Sequence, residues 1–279
     1  MHSLLGLSYN LYLTAHNIAL QETLVERLKH RKTFWGALYE TYVAASFIRA
    51  GFDIEFENEA DSTSTHCEFI ATHRQSRKRF SVEAKARDAE SQAKRMEGFA
   101  TSQRPNFGLG GKLYSALRKR ADHSRIVFIE LSLPLSITPE NKDTVIETIT
   151  AEVAEKEKTL TIAGAPAPPA VTNHPFHHRL DTLAGGPEMV VLGFKIPNFG
   201  YGFSFSDFRD YVASCEEHAP VLDLAKSIRS HHEIPSTFDG ECRNWRSHGT
   251  RTRRAWKSAG DTSYPRTTAE RCRLFWNRR

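Results

Sequence analysis

A mixed central β-sheet flanked by helices, within the α/β or α+β classes, is the fold this sequence predicts. Three observations carry it. The elements run in the order helix, three strands, helix, strand, which combines a meander with a crossover. One stretch, RIVFIELSL, is apolar enough for a strand buried on both faces. The chain has 279 residues, 39% of them hydrophobic, so it can bury a sizeable core.

The elements follow in order. Leu20, Leu24, Val25 and Leu28 predict a helix over 19–30. Phe34, Leu38, Ala45 and Ile48 recur at helical spacing and predict a second over 33–50, with Gly51 as its stop. A short strand is expected at 52–57. Two more, 66–72 and 79–85, flank the polar stretch HRQSRK, which reads as a hairpin turn. A charged segment, 88–100, has helical character. The Gly-rich PNFGLGG then reads as a turn before a helix at 112–121, and RIVFIEL follows as a strand. Pro139 opens a polar helical stretch to 158. APAPPA leads into a strand at 170–173, and a last strand is expected at 189–196. The tetrapeptide PNFG occurs at 105–108 and again at 197–200, as two similar Gly turns.

Composition excludes several classes. No apolar run approaches the ~20 residues of a membrane span; the longest, 126–135, contains Glu130. MHSLLGLSYNLYL has no basic residue before its broken apolar stretch and fits a secretory signal poorly. Cys67, Cys215, Cys242 and Cys272 are too far apart for a close metal-ligand pair or a disulfide framework, so reduced thiols in the cytoplasm are expected.

Charge divides the chain in two. Residues 226–279 carry 13 Lys and Arg against 5 Asp and Glu, a net of +8, which leaves −3 on residues 1–225. An α/β domain over 1–225 followed by a basic tail over 226–279 is the expected organisation. The tail interleaves Arg with Trp245, Trp256, Phe275 and Trp276, a mixture that neutralises phosphates and stacks on bases. It equally suits a solvated segment that buries no core.

The chemistry concentrates in THCEFIATHRQSRKRFSVEAKAR. Alternation puts Glu83 and Lys85 on one strand face and Val82 and Ala84 on the other. A hairpin centred between Gln75 and Ser76 sets Glu68 directly opposite Glu83. Opposed like charges destabilise a sheet by up to ~1 kcal/mol unless something offsets them. A divalent cation would, since Mg²⁺ takes one or two carboxylates plus waters and phosphate oxygens. Glu40 lies on a helix face with Ala37, Ala44 and Phe47, so it turns back to water or points at something that needs a carboxylate. As a bare tripeptide Glu83-Ala84-Lys85 says little, because Glu140-Asn141-Lys142 has the same form. A surface hairpin with ordinary solvated Glu and Lys is the plain alternative.

With Glu40 on the helix, Glu68 and Glu83-Ala84-Lys85 on the hairpin, then a helix and RIVFIEL, residues 33–173 resemble the PD-(D/E)xK nuclease superfamily, the restriction-endonuclease-like fold. The resemblance implies Glu68, Glu83 and the Ala84 carbonyl as ligands of Mg²⁺ or Mn²⁺, and Glu40 as an accessory acid. It implies Lys85 as the residue that orients or activates water, and metal-assisted phosphodiester hydrolysis as the reaction. DNA is favoured over RNA, and a homodimer stays open. Two features depart from the family pattern. The first acid is Glu68 after Cys67 where Asp, often after Pro, is usual, and Gln92 is followed four residues later by Met96 instead of Tyr. A catalytically inactive nuclease-like domain that binds nucleic acid or protein is the alternative.

Other constellations are weaker. His174, His177 and His178, and His231, His232 and Glu233, lack the spacing of a zinc site. GLGGK fails as a phosphate-binding loop at Asn106 and again at Leu113.

Overall fold

The computed structural model of the protein describes residues 2–15, 17–56, 67–86, 106–131, 142–159, 169–173, 188–196 and 217–230. Among them stand six helices: α1 (His2–Thr14), α2 (Ile18–Leu28), α3 (Phe34–Arg49), α4 (Leu109–Leu117), α5 (Lys142–Thr159) and α6 (Ala219–Ser230). Six strands, β1 (Phe52–Phe56), β2 (Phe69–His73), β3 (Arg79–Lys85), β4 (Ser124–Glu130), β5 (Pro169–Asn173) and β6 (Glu188–Val191), form one sheet in chain order. β1, β2 and β3 are antiparallel; β3, β4 and β5 are parallel; β6 returns antiparallel to β5. The expected mixed α/β sheet is therefore present, with helices on both faces.

Strand alternation assigns the two cores. Phe69, Ala71, Phe80, Val82, Ala84, Ile126, Phe128 and Ala170 pack with α1, α2, α3 and α6. Val127, Ile129, Leu131 and Val171 pack with α4 and α5. At the centre of the first core the Phe47 ring, fully buried, meets Phe52, Phe69 and Phe128 edge-on at 5.0, 5.6 and 5.8 Å between centroids. One helix residue thus touches three strands, a geometry aromatic quadrupoles favour. Nearby, Thr172 Oγ1 donates to Glu130 at 2.6 Å and so accepts from the Tyr39 hydroxyl at 2.7 Å, which ties α3 to the ends of β4 and β5.

The turn between β2 and β3 is fixed locally. His73 Nδ1 lies 2.9 Å from the Ser76 hydroxyl, and Arg77 takes φ 59°. On the other face, Glu152 of α5 accepts from the amides of Phe107 and Leu109 at 2.5 and 2.7 Å. It thereby caps the start of α4, where free N–H groups and the helix dipole favour a carboxylate.

Several boundaries differ from expectation. The first thirteen residues after Met1 form α1, although its apolar positions, spread around the helix, gave no helical stripe; Tyr9 and Leu13 enter the core. α4 begins at Leu109, not 112. Gly108, at φ 59°, makes the turn alone, and Gly110 lies inside the helix where a Cβ would meet Lys156 Cδ and Cε. β2 begins at Phe69, so Glu68 stands just before the ladder. β6 stops at Val191. The 225/226 division cuts through α6, whose Ile228 is buried with Val221 and Leu224, so the body extends to 230. The helical expectation at 88–100, both His clusters and residues 231–279 lie outside the described residues.

Phe47→Ala should lower unfolding free energy by about 3–5 kcal/mol, the usual effect of emptying a closed aromatic site. Urea denaturation against wild type measures it, and a change under about 1 kcal/mol contradicts a central role for this ring.

Candidate functional site

The β2–β3 register decides which side chains meet. Phe69 pairs with Val82, Ile70 with Ser81, Ala71 with Phe80 and Thr72 with Arg79. One residue further, the Glu68 amide donates to the Val82 carbonyl at 2.9 Å, so Glu68 and Glu83 stand opposite each other as the hairpin reading expected. Because Val82 and Ala84 face the α3 side, Glu83 and Lys85 face the α4 side. The same alternation aims the Ala84 carbonyl, like that of Val82, toward the β2 side, just past Cys67.

Glu83 is the most buried of the site groups, its side chain 1% exposed. Its Oε1 forms ion pairs with Lys85 and, at 2.8 Å, with Lys119, but neither oxygen accepts a well-directed hydrogen bond. Burial pushes its carboxyl above the ordinary range; the Glu68 charge pushes the same way, and Lys85 and Lys119 oppose both. Lys119 also donates to Glu68 Oε1 at 3.3 Å. Burial lowers its ammonium, and Glu83 and Glu68 outweigh that and leave it raised. Lys112 of α4 donates to the Ala86 carbonyl at 2.6 Å and anchors the chain just beyond Lys85.

Glu40 faces Arg27 of α2 in a two-pronged pair, Nη1 to Oε2 at 2.5 Å and Nη2 to Oε1 at 2.7 Å. This is what its carboxylate points at. Burial, then the Glu68 charge, push it up to about 7 against the pull of Arg27, with Glu83 adding to the rise. Glu40 therefore shares the field of the two strand acids, while both its oxygens are engaged by Arg27. Among the described residues no group of three or more His, Cys, Asp or Glu side chains is gathered to hold a metal ion. The structure brings together Glu68, Glu83 and Lys85, and holds Glu40 to Arg27.

Arg27 and Lys119 escaped the sequence reading. Arg27 is one of several charges around the end of α2, between Glu26 and Lys29, and Lys119 one of three consecutive basic residues after α4. Only tertiary contact singles them out.

No family model, curated protein or solved structure matches the chain. No helix among the described residues is long and apolar enough to cross a membrane.

Glu40 yields a pH prediction. Its folded-state pKa of about 7 exceeds the 4.5 of an unperturbed Glu carboxyl, so the folded protein holds the extra proton between those values. Its favourable contribution is complete below 4.5 and is lost as pH rises through about 7. In metal-free buffer, Glu40→Gln should flatten the fall in Tm between those two pH values. A wild-type slope kept by the variant contradicts this assignment.

Proposed function

We propose that the chain is a divalent-metal-dependent nuclease that hydrolyses phosphodiester bonds, with DNA favoured over RNA. The observation that carries this reading is the pair of opposed carboxylates, Glu68 and Glu83, with a cation at hydrogen-bond range of both. That cation is an ammonium, and its position marks a point where positive charge sits between the two acids. Glu83, buried and without a well-directed hydrogen bond, offers carboxylate oxygens that only ammonium ion pairs at Oε1 compensate, the donor type an oxygen-seeking ion requires. The residues present fit such an ion, with Glu68, Glu83 and the Ala84 carbonyl to hold it. When bound, Mg²⁺ or Mn²⁺ supplies charge to a phosphoryl oxygen and acidifies a water.

The protein's own groups do the rest. Glu68 and Glu83 are held in register by the sheet, a rigid base for a site that depends on placement. Lys85, on the Glu83 face and 21% exposed, reaches solvent and orients the attacking water. Glu40, fixed by Arg27, serves as an accessory acid that adds negative field without moving. A reducing cytoplasmic setting would keep the buried Cys67 as the thiol that donates to the Arg120 carbonyl.

A second reading has its own support. Lys85, Lys119 and Arg27 already pair with the three acids, as in a nuclease-like domain that binds nucleic acid or protein without cutting it.

Supercoiled plasmid, single-stranded DNA and RNA, each with Mg²⁺, Mn²⁺ or EDTA, separate the two. The nuclease reading expects metal-dependent cleavage that Lys85→Ala lowers at least about a hundredfold, with DNA still bound. Binding without cleavage under any metal favours the second reading. In the same assays, removal of residues 231–279 should flatten the salt dependence of binding, since each phosphate neutralised contributes roughly 0.7–0.9 to the slope. An unchanged slope removes the tail from the interface.

A further inference from the structure

We propose that Lys119 is the resident cation of the carboxylate pair, which it holds together in the metal-free protein and must leave for a divalent ion to enter. This rests on the metal-dependent reading above and adds a residue that the nuclease resemblance does not supply.

Lys119 differs from Lys85 in what it touches. Lys85 contacts Glu83, whereas Lys119 spans both acids, at 3.3 Å from Glu68 Oε1 and 2.8 Å from Glu83 Oε1. Its backbone is held in place. Arg125 donates to the Lys119 carbonyl at 2.6 Å, and the Cys67 thiol, next to Glu68, donates to the Arg120 carbonyl at 3.5 Å. The side chain is 22% exposed, so it has a path to solvent.

A divalent ion held by Glu68 and Glu83 would need the oxygens that Lys119 now engages, so ion and ammonium would exclude each other there. A compact charge on a flexible four-carbon stem can withdraw without disturbing the backbone, which a guanidinium fork does less readily. The displaced ammonium stays tethered beside the site, where a phosphodiester is the next available anion. Lys119 thus has two anionic partners in sequence, the carboxylates and then the substrate.

The test is calorimetric Mn²⁺ titration of the full chain together with metal-free thermal unfolding. It compares wild type, Lys119→Gln and Lys119→Arg, with Glu83→Gln to locate the binding. Lys119→Gln should lower the metal-free Tm and tighten Mn²⁺ binding at least about tenfold, because a competing unit charge is gone. Lys119→Arg should keep the metal-free Tm and bind Mn²⁺ no more tightly than wild type. Equal or weaker Mn²⁺ binding by Lys119→Gln overturns the exchange while leaving the metal reading intact. Should no variant bind Mn²⁺ while Lys119→Gln still loses metal-free stability, the metal reading itself falls and Lys119 is a fixed counter-ion.

Discussion

Two carboxylates opposed across an antiparallel pair, one of them almost fully buried, form the constraint around which this end of the molecule is arranged. A buried carboxylate that meets a like charge is unfavourable on two counts, desolvation and repulsion. The fold answers with cations from separate parts of the chain. Lys85 comes from the same strand, Lys119 from beyond α4, and Arg27 from α2 by way of Glu40. Raised carboxyls at Glu83 and Glu40 mark the compensation as incomplete. An arrangement retained at that cost is expected at sites of chemistry more than at sites of support.

The sheet makes the arrangement possible by keeping two jobs on two faces. Even-numbered residues of β3 pack against α3 through Phe80, Val82 and Ala84, and that packing holds the strand level. Odd-numbered residues are then free to carry Glu83 and Lys85 toward α4. Phe47 contributes from the opposite side, since its contacts with Phe52, Phe69 and Phe128 fix β1, β2 and β4 around β3. Within the sheet the register could hardly slip, because a shift of one residue would turn Glu83 into the aromatic core.

Much of this was legible from the chain. The register of β2 and β3 follows from a short polar turn with strands of clear alternation on both sides, and the α3 periodicity ends at Gly51, which takes φ 85°. Other features were hidden for physical reasons. α1 buries one face through Tyr9 and Leu13 but carries exposed Leu4 and Leu5 as well, so its apolar residues form no stripe that announces it. Gly110 and Gly111 read as a turn because glycine is poor in helices, yet Gly110 sits in α4 with the Lys156 side chain laid over it, which a Cβ would displace. Arg27 and Lys119 illustrate a different limit. Their partners lie 13 residues away for Arg27 and 51 and 36 for Lys119, in other elements, and local sequence holds no mark of such pairings.

The cap at the head of α4 has a reach beyond that helix. Glu152 binds the amides at its start, and Lys119 stands two residues past its end, so the helix is a rigid spacer of about 1.5 Å per residue between an anchor and a charge. The α5 anchor at one end and the Arg125 and Cys67 contacts at Lys119 and Arg120 at the other together set where the ammonium stands over the carboxylates. A helix that touches neither acid thus works as a set-screw on their electrostatics, and changes in α5 packing can retune the site while every residue in it stays the same.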